Sequence, residues 1–288
     1  MSNLPSFLVI NAYTKTDRET LAQFGVTNAS KLYSQLLHQI INNAFIDTLN
    51  IADLDAKLPN SEQLKKYNGI VWTGSSLTIY EDVPEVTRQI EFSQLAFEAG
   101  IPQFGSCWAA QIAVTAAGGK CMPHPDGIEF GIARQISLTD TGRSHPLYRD
   151  KKTVFDGFIS HYDEITHLPP GSQILAGNDY TRVQAVSVTY KNGTFWATQY
   201  HPEYNLHELA RLCYARRERL TKFGFFPSLA DAEIFIEDLE TLHKHPERKD
   251  IAWRLGISPD LTHDNVRFTE VSNWINELVL PHKQANKA

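Results

Sequence analysis

The chain has 288 residues, a formal charge of −6 and 42% hydrophobic side chains, enough apolar material for one large α/β body plus an extension. The negative balance argues against a dedicated nucleic-acid surface, and no apolar run approaches the length of a membrane span. The N-terminus has no basic stretch followed by an apolar one, so a cytoplasmic location is expected.

Residues 6–11 read as a buried strand (Phe7, Leu8, Val9, Ile10), followed by a long polar connection. Residues 30–43 carry Leu32, Leu36, Leu37, Ile40 and Ile41 at helical spacing, with Ser30 as a fair N-cap. Strands are predicted at 44–50 and 69–73. Pro84 and Gly100 bracket a helix whose core face includes Val86, Ile90, Leu95 and Phe97. Strand–helix alternation of this kind implies a parallel sheet covered on both faces, with functional groups at the carboxyl ends of its strands. From Gly131 the pattern turns strand-rich, at 132–138, 154–160, 172–178, 185–190 and 194–200, and Lys191-Asn192-Gly193 joins the last two as a hairpin. The fold class is therefore α/β, with a mixed, mostly parallel central sheet flanked by helices. Residues 206–220 read as a helix with a basic stretch (Arg211, Arg216, Arg217, Arg219), expected to be a solvated face. Residues 227–245 and 271–279 also look helical. The domain division expected is 1–221 and 222–288, the latter a helical C-terminal extension packing on the core or on a partner.

Between these elements lies an elbow. Ile101-Pro102-Gln103-Phe104-Gly105 closes a short apolar strand, Ser106-Cys107-Trp108 follows, and Ala109 begins a run of good helix formers that stops at Gly118-Gly119. A lone cysteine is usually a small buried hydrophobe. At an elbow, however, the amides of the helix start lower the cost of a thiolate and can hold an oxyanion. A nucleophilic thiol also needs a base and a group that orients the base. His201-Pro202-Glu203, delivered at the end of the strand 194–200, supplies both from one face of an extended segment.

These segments together resemble the class I (triad-type) glutamine amidotransferases, and in particular the amidotransferase part of GMP synthetases. Gly105-Ser106-Cys107-Trp108-Ala109-Ala110-Gln111 is similar to the Gly-x-Cys-x-Gly-x-Gln nucleophile motif, and His201-Pro202-Glu203 to the His-Pro-Glu motif. Gly127-Ile128-Glu129-Phe130-Gly131, Ser160 to Ile165 with Leu168-Pro169, and Trp72-Thr73-Gly74-Ser75-Ser76 fall in the family's order, so the likeness spans roughly residues 5–205. Ala109 stands where the family usually has glycine, which implies tighter packing under the elbow. The resemblance implies a flavodoxin-like sheet and a Cys107–His201–Glu203 triad that hydrolyses the glutamine side-chain amide through a γ-glutamyl thioester. It implies an oxyanion hole from Gly74, Ser75 and Trp108, and substrate contacts from Gln111, His161, Tyr162 and Asp163.

Three functions follow. The first is a glutamine-hydrolysing amidotransferase that releases glutamate and ammonia for an unidentified acceptor. No phosphate-binding loop or Ser-Gly-Gly-x-Asp-Ser run is present, so the acceptor site would belong to a separate synthetase subunit. The second is a γ-glutamyl peptidase or hydrolase acting on small γ-glutamyl conjugates. The third is a binding or regulatory module of the same fold that turns nothing over. A homo-oligomer is left open. Cys107, Cys121 and Cys213 form neither a disulfide framework nor a zinc pair, and most of the eleven histidines are scattered singly. His243 and His245 fall in a polar helical stretch. No metal and no cofactor are assigned.

Overall fold

The computed structural model of the chain describes residues 4–285. Its strands are β1 (Ser6–Asn11), β2 (Phe45–Asn50), β3 (Gly69–Trp72), β4 (Gln103–Ser106), β5 (Lys120–Pro123), β6 (Glu129–Leu138), β7 (Val154–His161), β8 (Asp163–His167), β9 (Ser172–Gly177), β10 (Ala185–Tyr190) and β11 (Gly193–Thr198). Nine of them form one sheet in the order β2-β1-β3-β4-β11-β10-β9-β6-β7, and β5 pairs with β8 separately. From β2 to β11 the neighbours are parallel, and from β11 to β7 they are antiparallel.

The alternation of side chains along a strand divides the core in two. Phe7 and Val9 join Tyr33, Leu37, Phe104 and Trp274 on one face of the sheet. Leu8 and Ile10 join Trp72, Val86 and Phe92 on the other. This double burial is what the continuous apolar run of β1 encodes.

The helices are α1 (Lys15–Gln23), α2 (Ala29–Ile40), α3 (Ser61–Leu64), α4 (Pro84–Glu98), α5 (Trp108–Ala116), α6 (Asp140–Ser144), α7 (Leu206–Lys222), α8 (Leu229–Lys244) and α9 (Lys249–Leu255). The short α3, α6 and α9 were not expected, and two longer helices also differ from expectation. Helix α1 occupies the stretch read as a polar connection; Thr14 caps it by accepting the Asp17 N–H at 3.1 Å, and none of its residues is buried, so no apolar stripe announced it. The N-cap of α2 is Asn28 rather than Ser30, because the Asn28 side chain accepts the Ser30 N–H at 3.0 Å. No helix among the described residues is long and apolar enough to cross a membrane.

The C-terminal residues continue as α10 (Pro259–Thr262), α11 (Asp264–Arg267) and α12 (Thr269–Trp274), with helical turns through Ile275–Val279 and Leu280–Ala285. Trp274 is fully buried against the sheet, its ring centroid 5.8 Å from that of Phe7 and 5.7 Å from that of Phe104. Gly69 leaves the room it needs, since a Cβ there would lie 2.7 Å from the indole. Glu270 is fully buried as well. It is 3.0 Å from the Lys151 ammonium and accepts the Tyr200 hydroxyl at 2.5 Å, so the extension grips the residue immediately before His201.

Candidate active site

Strand β4 and helix α5 meet at Cys107, whose φ of 55° lies in the left-handed region that costs a non-glycine residue roughly 1–2 kcal/mol. Packing beneath it holds the turn. A Cβ on Gly105 would fall 2.3 Å from the Trp72 carbonyl oxygen and 2.5 Å from the Ala109 methyl, so only glycine fits there. The Ala109 methyl, fully buried, fills the floor of the elbow against that glycine. The Cys107 N–H donates to the Thr198 carbonyl at 2.7 Å, which ties the end of β4 to the end of β11. Its thiol is buried and donates to the Ser160 carbonyl at 3.5 Å.

His201 follows β11. Its Nδ1 is 2.7 Å from Glu203 Oε1, and the same oxygen accepts the Ser106 hydroxyl at 2.8 Å. The ring stacks on Tyr204 with centroids 3.9 Å apart and planes 5° apart. The buried Nε2 has no hydrogen-bond partner among the described residues. Burial disfavours the imidazolium, but the Glu203 carboxylate and the adjacent Cys107 outweigh it and hold the His201 pKa at about 9. Gly74 runs against both groups, since a Cβ on it would lie 3.2 Å from His201 Cε1 and 3.9 Å from Cys107 Cβ. Its loop is pinned to Ala12, whose N–H donates to Thr73 Oγ1 at 3.0 Å and whose carbonyl accepts the Ser75 hydroxyl at 3.0 Å. Trp108 opens α5, where the first amides lack intrahelical acceptors, and its indole donates to Gln89 at 2.9 Å.

Cys107 opens onto a cleft of about 540 Å³ that also touches Ser75, Trp108, Gln111, His161, Tyr162 and Asp163. The residues singled out in the sequence therefore converge, with His201, Glu203 and Gly74 behind the thiol. They differ in what they offer. Gln111 is buried with its Oε1 unpartnered. His161 has both ring nitrogens engaged, Nδ1 with the Asp163 carbonyl at 2.9 Å and Nε2 with Glu129 at 2.8 Å. Asp163 accepts the Tyr80 hydroxyl at 3.0 Å; burial raises its pKa, and that hydrogen bond opposes the rise. Cys121 and Cys213 are buried thiols pushed up to about 12 by desolvation.

Sequence reasoning missed several participants. Arg216 and Arg219 border the cleft, Arg216 half-buried and donating to the Ser160 hydroxyl, Arg219 exposed at its mouth. Arg211, by contrast, pairs with Glu240 at 2.8 Å. Tyr80, Tyr204 and Ser106 also had no assigned role. Of these only Ser106, inside the nucleophile motif, carried a local signal; the others reach the site from distant parts of the chain.

A model of the family "Glutamine amidotransferase class-I" matches residues 27–215. The chain belongs to the class-I glutamine amidotransferase family. Among its relatives, a gamma-glutamyl-L-1-hydroxyisopropylamide hydrolase from a Pseudomonas species is 32% identical over 95% of this chain and 93% of that protein. A glutamine-hydrolyzing GMP synthase from Lachnospira eligens is 34% identical over 49% of this chain, a match that spans only 25% of the synthase. The fold is shared with a glutamine amidotransferase from Thermotoga maritima at a TM-score of 0.67 and 15% identity, covering 96% of this chain and 99% of that one. A glutamine amidotransferase from Methylobacillus flagellatus aligns at a TM-score of 0.55 and 16% identity over 76% of this chain and 76% of that one. The mixed sheet flanked by helices is thus the amidotransferase fold, here with C-terminal helices, and family membership supports an amidohydrolase.

Proposed function

We propose that the protein hydrolyses the γ-amide bond of γ-glutamyl compounds through a Cys107 thioester. The observation that carries the proposal is the His201 ring, with Nδ1 held by Glu203 at 2.7 Å and a free, buried Nε2 on the Cys107 side. The Cys107 proton resides on Nε2 in a thiolate–imidazolium pair, which the raised His201 pKa favours; the sulfur attacks the amide carbon and Nε2 gives the proton to the departing amine or ammonia. Glu203 fixes the tautomer and stabilises the imidazolium. Backbone amides of Trp108 and of Gly74 or Ser75 hold the oxyanion. His201 then draws a proton from water, which cleaves the thioester to glutamate and frees the thiol. Gln111 and Asp163 supply polar contacts to the glutamyl head group, and Tyr162 forms a wall of its site. His161, occupied on both nitrogens, positions the Asp163 segment.

A γ-glutamyl amide is favoured over glutamine alone because the similarity to an amide hydrolase extends over nearly the whole chain, beyond the part shared with GMP synthases. Those synthases motivate the second reading, glutamine hydrolysis that feeds a separate synthetase subunit. We place the catalytic body within residues 1–221 and read 222–288 as an extension that braces it, in a cytoplasmic enzyme. The deciding assay is glutamate release from glutamine and from γ-glutamyl amides, comparing wild type with Cys107→Ala. Loss of the nucleophile lowers turnover by about 10⁴-fold or more. Selective release from the amides supports hydrolysis of conjugates, and strict glutamine preference supports the amidotransferase half-reaction. A rate unchanged in the variant would sink the thioester.

A further inference from the structure

The cleft is polarised in a way the triad does not require. One wall carries acceptors for a cation: the unpartnered Gln111 Oε1, buried to 96%, and the Asp163 carboxylate. Facing the same space are two guanidinium groups from α7, Arg216 and Arg219, spaced one helical turn apart. Neither forms an ion pair with an acid among the described residues. Most of the chain's other arginines do, which makes this unpaired couple unusual.

Both are held in place. Arg216 donates to the hydroxyl of Ser160, whose carbonyl accepts the Cys107 thiol, so this guanidinium sits one residue's reach from the nucleophile. Its charge also offsets part of the burial that raises the Tyr13 and Tyr204 hydroxyls. Arg219 lies over the Tyr162 ring at 4.5 Å and near Phe223 at 5.5 Å. Two acids border the cleft and could compete. Asp17 accepts the Thr14 hydroxyl at 2.8 Å in the cap of α1, Asp163 accepts the Tyr80 hydroxyl on Oδ1 alone, and neither acid pairs with either guanidinium among the described residues. Paired cations with aromatic support and no internal counter-ion suit a planar carboxylate.

We propose that Arg216 and Arg219 form a carboxylate-binding subsite that selects γ-glutamyl amides by an anionic group a few bonds from the scissile amide. This rests on the γ-glutamyl reading above and names its specificity determinants. The carboxylate comes either from the glutamyl head group, whose ammonium then meets Gln111 and Asp163, or from the amine half of the conjugate.

The test is binding, by calorimetry, to full-length Cys107→Ser protein, so that it does not depend on turnover. Three probes are used: γ-glutamyl-propylamide, its α-carboxamide analogue, and γ-glutamyl-β-alanine. Removing the α-carboxylate, or adding the one on β-alanine, should change affinity by about tenfold or more. Arg219→Met should erase that difference, and Arg219→Lys should restore part of it. Arg216→Met is the second arm, with its melting temperature checked because it also holds Ser160. Which probe pair loses its difference identifies the source of the carboxylate. A difference that persists undiminished in both Met variants overturns the subsite, as does failure of every probe to bind. If the probes discriminate but wild type releases no glutamate, the subsite stands and the hydrolase reading fails.

Discussion

Glu203→Gln separates the electrostatics of the proposed Cys107–His201–Glu203 triad from its shape. The amide keeps an oxygen for Ser106 and His201 but loses the charge, which is the main influence raising the His201 pKa. A histidine raised from 6.5 to about 9 binds its proton more tightly in the folded state, by about 3 kcal/mol. That stabilisation is complete below pH 6.5 and is lost as pH rises through about 9. In the variant, burial dominates and favours neutral imidazole, so this pH-dependent loss should largely vanish. The new amide N–H₂ replaces an oxygen that has no partner among the described residues, adding a cost of about 1–3 kcal/mol at every pH. Urea denaturation of both proteins at intervals from pH 6 to 9.5 isolates the effect, because all other titrations are common to the pair. Wild type should lose stability relative to the variant across this window. Curves that remain parallel would refute the charged His201–Glu203 pair.

Ser106→Ala removes the hydroxyl that Glu203 accepts at 2.8 Å, and should cost about 1 kcal/mol with a roughly tenfold fall in kcat; an unchanged kcat would mean Glu203 needs no second tether. Gly105→Ala drives a methyl to 2.3 Å from the Trp72 carbonyl, and should destabilise by about 3 kcal/mol or more in chemical denaturation; a neutral result would mean the elbow relaxes freely. Trp274→Ala empties a fully buried indole site between the extension and the sheet, so unfolding should shift by about 3–5 kcal/mol. A shift below about 1 kcal/mol would show that the C-terminal helices ride on the sheet without supporting it.

The central parallel strands β1 and β3 were legible because burial on both faces demands continuous apolar runs, as in Phe7 to Ile10 and Gly69 to Trp72. Cys107, His201 and Glu203 were legible for another reason: each sits in a local segment, an elbow or a strand end, whose geometry follows from its neighbours. Helix α1 was not legible, since it buries no residue fully and its cap differs little from a turn. Nor were β5 and β8, which are short and lack the continuous apolar run that marks the equally short β3.

By itself, then, the sequence determined which strand ends bring Cys107 and the His201-Pro202-Glu203 segment forward as candidates, because elbow, cap and alternation are rules of short range. Tertiary structure alone decided what surrounds them. Arg216 and Arg219 belong to a helix that reads as solvated until it folds across the cleft. Glu270 and Trp274 come from the extension, yet one holds Tyr200 and the other lies under the sheet. Such contacts join residues up to hundreds of positions apart, and whether a side chain meets solvent or a buried partner is fixed only once the sheet brings those positions together.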